Sequence, residues 1–123
     1  MTLERKERGR RGEEAAASFL KKRGYQILEM NYRTRRGEID IIALHKGVLA
    51  FVEVKTRTSA AFGSPKEAVG REKRRRISMA ALEYLSRTRQ TRSRARFDVV
   101  SVLDVEGGPE MELIPNAFEL AYR

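Results

Sequence analysis

Two β-branched runs, Glu38 to Leu44 and Val48 to Thr56, are joined at Lys46 and Gly47, and no other feature constrains the fold as tightly. Such a two-residue connection reads as a β-hairpin. Strand residues two apart share a face, so Glu38 accompanies Asp40 and Glu53 accompanies Lys55. A symmetrical turn centred on Lys46 and Gly47 makes paired positions sum to 93, which sets Asp40 opposite Glu53 and Glu38 opposite Lys55. Directly opposed Cβ atoms lie about 4.5 to 5.5 Å apart, and like charges at that spacing destabilise a sheet. Two facing carboxylates are explained if a divalent cation neutralises them. Oxygen-only ligation completed by water suits Mg²⁺ or Mn²⁺. Lys55 beside such a site would orient an attacking water and stabilise charge growing on a phosphoryl oxygen, the requirements of phosphodiester hydrolysis. The alternative is an ordinary half-exposed face with Glu38 and Lys55 as a cross-strand ion pair, which leaves Asp40 facing Glu53 unaccounted for.

The hairpin sits in an αβββαβ order. Ala16, Ala17, Phe19 and Leu20 recur at helical spacing within a helix from Glu4 to Arg23, and Gly24 supplies its stop. A strand from Tyr25 to Arg33 follows, then a polar turn from Thr34 to Gly37. After the hairpin, Thr58 to Gly63 reads as a loop, and Ser64-Pro65-Lys66-Glu67 has the layout of a capping box opening a second long helix. Val69, Ile77, Ala80, Ala81, Tyr84 and Leu85 give that helix its apolar face. Phe97 to Asp104 reads as a strand, turned back by Gly107, Gly108 and Pro109 into a short strand from Met111 to Ile114. Pro115 to Arg123 reads as one terminal helical turn. The expected fold is α/β, one domain over residues 1–123, with a central mixed sheet flanked by two long helices.

Composition narrows the chemistry. The 123 residues include no cysteine and one histidine, His45. That excludes disulfides, thiolate metal sites and multi-histidine zinc, and the expected chemistry uses carboxylates, lysine and arginine. His45 itself reads as a turn residue, and Tyr25, Tyr32 and Tyr84 as core or interface residues. No apolar run is long enough to span a membrane, and Met1 to Arg11 leads into Glu13 and Glu14, so a cytoplasmic, non-membrane protein is expected. Lys plus Arg number 26 against 17 Asp plus Glu, a net charge of +9. Such an excess favours a polyanionic partner, and the 19 arginines suit phosphate.

Gly37-Glu-Ile-Asp-Ile-Ile-Ala and Phe51-Val-Glu-Val-Lys-Thr-Arg57 resemble the YraN family of small bacterial proteins, related to archaeal Holliday junction resolvases within the PD-(D/E)XK nucleases. The resemblance runs through Gly9, Gly12, Glu13 and Ala16, Gly24-Tyr25, Phe62-Gly63-Ser64-Pro65, Ala68-Val69, Lys73, and Arg96-Phe97-Asp98-Val99-Val100. It implies a restriction-endonuclease-like core, with Asp40 and Glu53 as metal ligands and Lys55 as the catalytic lysine. A first-helix glutamate joins the cluster in resolvase-like relatives, which makes Glu13 a third candidate ligand. Glu13 shares a helical stripe with Ala16, Ala17 and Leu20, and its other reading is a helix-start acid favoured by the dipole.

Lys73 lies on the inward stripe with Val69 and Ile77, either snorkelling or contacting a phosphate at the site rim. Three basic groups, Arg5 to Arg11, Arg71 to Arg76 and Arg87 to Arg96, suggest a groove for backbone phosphates. Arg35, Arg36, Arg57, Lys73, Arg74, Arg75 and Arg76 are its candidate contacts. Without a base-reading motif or aromatic platform, recognition by shape is expected. The resulting expectation is a Mg²⁺- or Mn²⁺-dependent endonuclease acting on branched or structured DNA. RNA as substrate, a non-catalytic nucleic-acid-binding role and a homodimer all stay open.

Overall fold

A computed structural model describes residues 3–58 and 69–120; the Ser64–Glu67 capping box and the side chains of Arg5 and Arg8 lie outside them. Among the described residues seven elements follow one another: α1 (Leu3–Lys22), β1 (Gln26–Arg33), β2 (Glu38–His45), β3 (Val48–Arg57), α2 (Arg71–Arg87), β4 (Ala95–Val105) and β5 (Gly108–Phe118). The strands form one sheet in chain order, antiparallel except where β3 and β4 run parallel. That parallel pair needs a crossover, and α2 lies within it.

The β2–β3 register is the one read from the turn, with His45 opposite Val48 and Ile41 opposite Val52. Lys46 and Gly47 both take positive φ, 51° and 78°, as a two-residue hairpin of the twist-matched kind requires. Alternation then sorts the core into two layers. Ile41, Ala43, Ala50, Val52, Val100 and Val102 pack with Ala16 and Leu20 of α1. Ile42, Leu49, Phe51, Phe97 and Val99 pack with Ile77, Ala80, Ala81 and Tyr84 of α2. Two glycines let helices approach the sheet side closely. A Cβ on Gly12 would collide with the Thr56 side chain, and one on Gly37 with the backbone carbonyl of Arg76.

Two expectations change. The second helix starts at Arg71, with Gly70 at its N-cap and no side-chain cap; Val69 is buried ahead of it. Pro115 to Phe118 form no helical turn, because β5 continues to Phe118. Its end is fixed by partners distant in sequence. Asn116 donates its N–H to Asp98 Oδ1 at 2.8 Å, and Phe118 stacks on Phe97 at 4.9 Å between ring centres. Pro115 is tolerated because β5 is an edge strand. No helix among the described residues is long and apolar enough to cross a membrane.

Candidate active site

Asp40 lies where β2 and β3 part. Their ladder ends at Ile41 and Val52, and one step further the Val54 N–H donates to Asp40 Oδ2 at 2.8 Å. Asp40 and Glu53 come close enough for their carboxyl groups to interact, as the register implies. Both residues are buried, at 8% and 4% exposure. Glu53 and Lys55 continue the Leu49 and Phe51 series on β3, so half-buried Lys55 shares the α2 side of the sheet with Glu53. The expected pairing of Glu38 with Lys55 does not form. Glu38 pairs instead with Arg33 on β1, Nε to Oε2 at 3.2 Å.

Burial, then the neighbouring Glu53 charge, pushes Asp40 up to about 7; the Val54 N–H and Lys73 pull against the rise. Near neutrality the Asp40 carboxyl is therefore partly protonated. Lys73, in the first turn of α2, reaches Glu53 Oε1 with its ammonium at 2.6 Å. Burial works against that ammonium, but Glu53, Asp40 and Glu38 hold its pKa above the ordinary value. Glu13 approaches from α1, where burial first and then the Asp40 charge raise its pKa. Among the described residues no three Asp, Glu, His or Cys side chains converge to hold a metal. Glu13 is near enough to Asp40 to feel its charge. The Asp40 and Glu53 pair itself fits a hard cation, offering oxygen from two carboxylates, the number Mg²⁺ or Mn²⁺ commonly takes with water filling the remaining positions.

Beside the pair runs a groove of about 870 Å³, walled by the β1–β2 turn and the start of α2. Arg35, Arg36, Lys73 and Arg76 line it, with Arg33, Glu38 and Glu72. The turn is held by Thr34, whose Oγ1 accepts the N–H groups of Arg36 and Gly37. The remaining candidate arginines divide. Arg75 is exposed near Glu72. Arg74 turns inward, donating Nε to the Val69 carbonyl at 2.7 Å and covering Phe118. Arg57 is half-buried and donates to Ser101 Oγ at 3.4 Å.

Two features escaped the sequence. Asn31, at φ 51°, lies on β1 and hydrogen-bonds the Glu13 side chain. A left-handed asparagine within a strand is the kind of detail that periodicity does not register. The second is a buried cluster around Asp98. Arg96 Nε donates to both Asp98 oxygens at 3.1 Å, and Tyr25 donates its hydroxyl to Oδ2 at 3.0 Å. His45 stacks on Tyr25 at 4.2 Å and accepts at Nδ1 from Arg96 at 2.9 Å, which places the ring proton on Nε2. His45 and Tyr25 thus belong to a structural network.

The architecture is a mixed α/β protein in which Lys73 links a buried acidic pair to a basic groove. The family described as "Uncharacterised protein family UPF0102" matches residues 12–102, a span that includes Glu13, Asp40, Glu53, Lys55 and Lys73. A UPF0102 protein of Geobacter metallireducens is 50% identical over 99% of this chain and 100% of its own length. UPF0102 proteins of Trichlorobacter lovleyi and Desulfosudis oleivorans are each 52% identical, over 90% and 97% of the chain and 89% and 95% of their own lengths. The chain belongs to the UPF0102 family.

Proposed function

We propose that this chain is a Mg²⁺- or Mn²⁺-dependent endonuclease with a restriction-endonuclease-like core, hydrolysing phosphodiester bonds in branched or structured DNA. The observation that carries the reading is the buried Asp40 and Glu53 pair, with Lys55 on the same side of the sheet and Lys73 reaching from Glu53 to an arginine-lined groove. Asp40 and Glu53 would hold the cation, which when bound supplies Lewis-acid stabilisation to the phosphoryl oxygens and acidifies a water. Lys55 orients the attacking water and meets charge developing on the phosphoryl group. Arg35, Arg36 and Arg76 neutralise backbone phosphates and set the register of the strand, which supports recognition by shape.

A second reading is a non-catalytic nucleic-acid-binding protein that keeps the fold. It is favoured by the Lys73 ammonium already neutralising Glu53. The test is a cleavage screen of purified protein on linear, flapped and four-way DNA and on structured RNA, with Mg²⁺, Mn²⁺ or chelator. Cutting of branched DNA that requires the cation supports the enzyme. Tight binding with no cleavage of any substrate supports the binding module, and cleavage confined to RNA redirects the substrate.

A further inference from the structure

Lys73 faces two ways. Its ammonium sits 2.6 Å from the buried Glu53 carboxylate, yet its side chain is 48% exposed and lines the groove that Arg35, Arg36 and Arg76 make basic. The same cation therefore bridges the acidic pair and the surface that would carry a phosphate backbone. On the acidic side it supplies what a divalent cation would supply, compensation for two adjacent buried carboxylates. On the groove side it is within reach of an incoming polyanion, which competes for its charge. Two of the other groove charges have carboxylate partners: Arg33 pairs with Glu38, and Arg76 with Glu72.

We propose that Lys73 holds the Asp40 and Glu53 pair closed to a divalent cation until a nucleic-acid phosphate in the groove draws its ammonium away from Glu53. Metal and nucleic acid then bind cooperatively, each promoting the other through one side chain. By linkage the coupling is reciprocal, so it reads equally in metal affinity and in nucleic-acid affinity. The inference rests on the reading of Asp40 and Glu53 as metal ligands, and it makes Lys73 a positioning residue that acts through Glu53.

The experiment is calorimetric titration of Ca²⁺ and Mn²⁺ into the wild type, Lys73→Met, Lys73→Arg, Asp40→Ala and Glu53→Ala, each with and without a four-way DNA junction. Methionine keeps the helix propensity and much of the apolar stem of lysine, and circular dichroism and a urea midpoint check that each variant folds. In the free protein Lys73→Met should bind metal about tenfold more tightly than wild type, within the range of coupled sites. The junction should tighten metal binding to the wild type and leave Lys73→Met unchanged, while Lys73→Arg should retain the coupling. If Asp40→Ala and Glu53→Ala abolish metal binding but Lys73→Met matches the wild type with and without DNA, the gating role is overturned and the metal site stands. If neither wild type nor Lys73→Met takes up metal under any condition, both the gating role and the metal site are overturned.

Discussion

The Val54 N–H donates to the Asp40 carboxylate at 2.8 Å across the gap where β2 and β3 separate. A side chain thereby replaces a ladder bond, holding Asp40 against Glu53 in a buried position. This arrangement has an electrostatic consequence. Asp40 is pushed up to about 7 in the fold, against about 3.9 in an unfolded chain. The native state therefore binds more protons than the unfolded state between those values. Its contribution is fully present below about pH 4 and is lost as pH rises through about 7. Asp40→Asn keeps an acceptor for Val54 and removes the charge. In chelator, urea unfolding should show the variant more stable than wild type by about 2 kcal/mol at pH 8, with the gap closing towards pH 4. Equal stabilities at pH 8 would remove the cost of burying the Asp40 charge beside Glu53 from the account.

Gly37 packs against the Arg76 carbonyl so closely that no Cβ fits. Because the obstacle is backbone, Gly37→Ala should push the β1–β2 turn off α2 and cost about 1 to 3 kcal/mol, seen as a lowered urea midpoint. Gly9, inside α1 with open space around it, is the control. Gly9→Ala should stabilise by about 0.5 to 1 kcal/mol. The same sign at both positions would mean that the close approach does not govern the turn.

The sequence groups Arg74, Arg75 and Arg76, but the structure separates them. Substituting Arg35, Arg36 and Arg76 by alanine should reduce the slope of log affinity against log salt for duplex DNA by about 2 to 3, near 0.9 per phosphate contact. Arg74→Ala should leave that slope unchanged and lower stability, since it loses the bond to Val69 and the contact with Phe118. A flattened slope for Arg74→Ala with normal stability would reverse the assignment.

What was legible in the sequence is local. The Lys46–Gly47 turn and period-two alternation set the β2–β3 register, and with it the meeting of Asp40 and Glu53. The helical stripe of α1 brings Glu13 towards Asp40. What was not legible depends on residues far apart in sequence. Lys73 meets Glu53 only because α2 crosses over the sheet, and β5 extends past Pro115 only because Asp98 and Phe97 hold its end. Glu38 turned to Arg33 because β2 leaves β3 at Ile41 while staying paired with β1.

The Asp98 cluster offers a stability test away from the acidic pair. Asp98 is fully buried and satisfies Arg96, Tyr25 and the Asn116 N–H together. Asp98→Ala leaves the Arg96 guanidinium, 19% exposed, without its carboxylate and should cost about 3 to 5 kcal/mol by urea denaturation. A loss below about 1 kcal/mol would show that the network does not hold β4, β5 and the end of α1 together.

The most direct test of the central claim is single-turnover cleavage of a four-way DNA junction in Mg²⁺ or Mn²⁺, with binding measured in parallel, for the wild type, Asp40→Ala, Glu53→Ala and Lys55→Ala. Cation-dependent cleavage should vanish in both carboxylate variants while DNA binding persists. Lys55→Ala should keep metal uptake and slow cleavage by about 10² to 10³. A wild type that binds the junction but cuts it in no divalent cation, with all three variants binding equally well, would contradict the enzyme reading and leave a nucleic-acid-binding module.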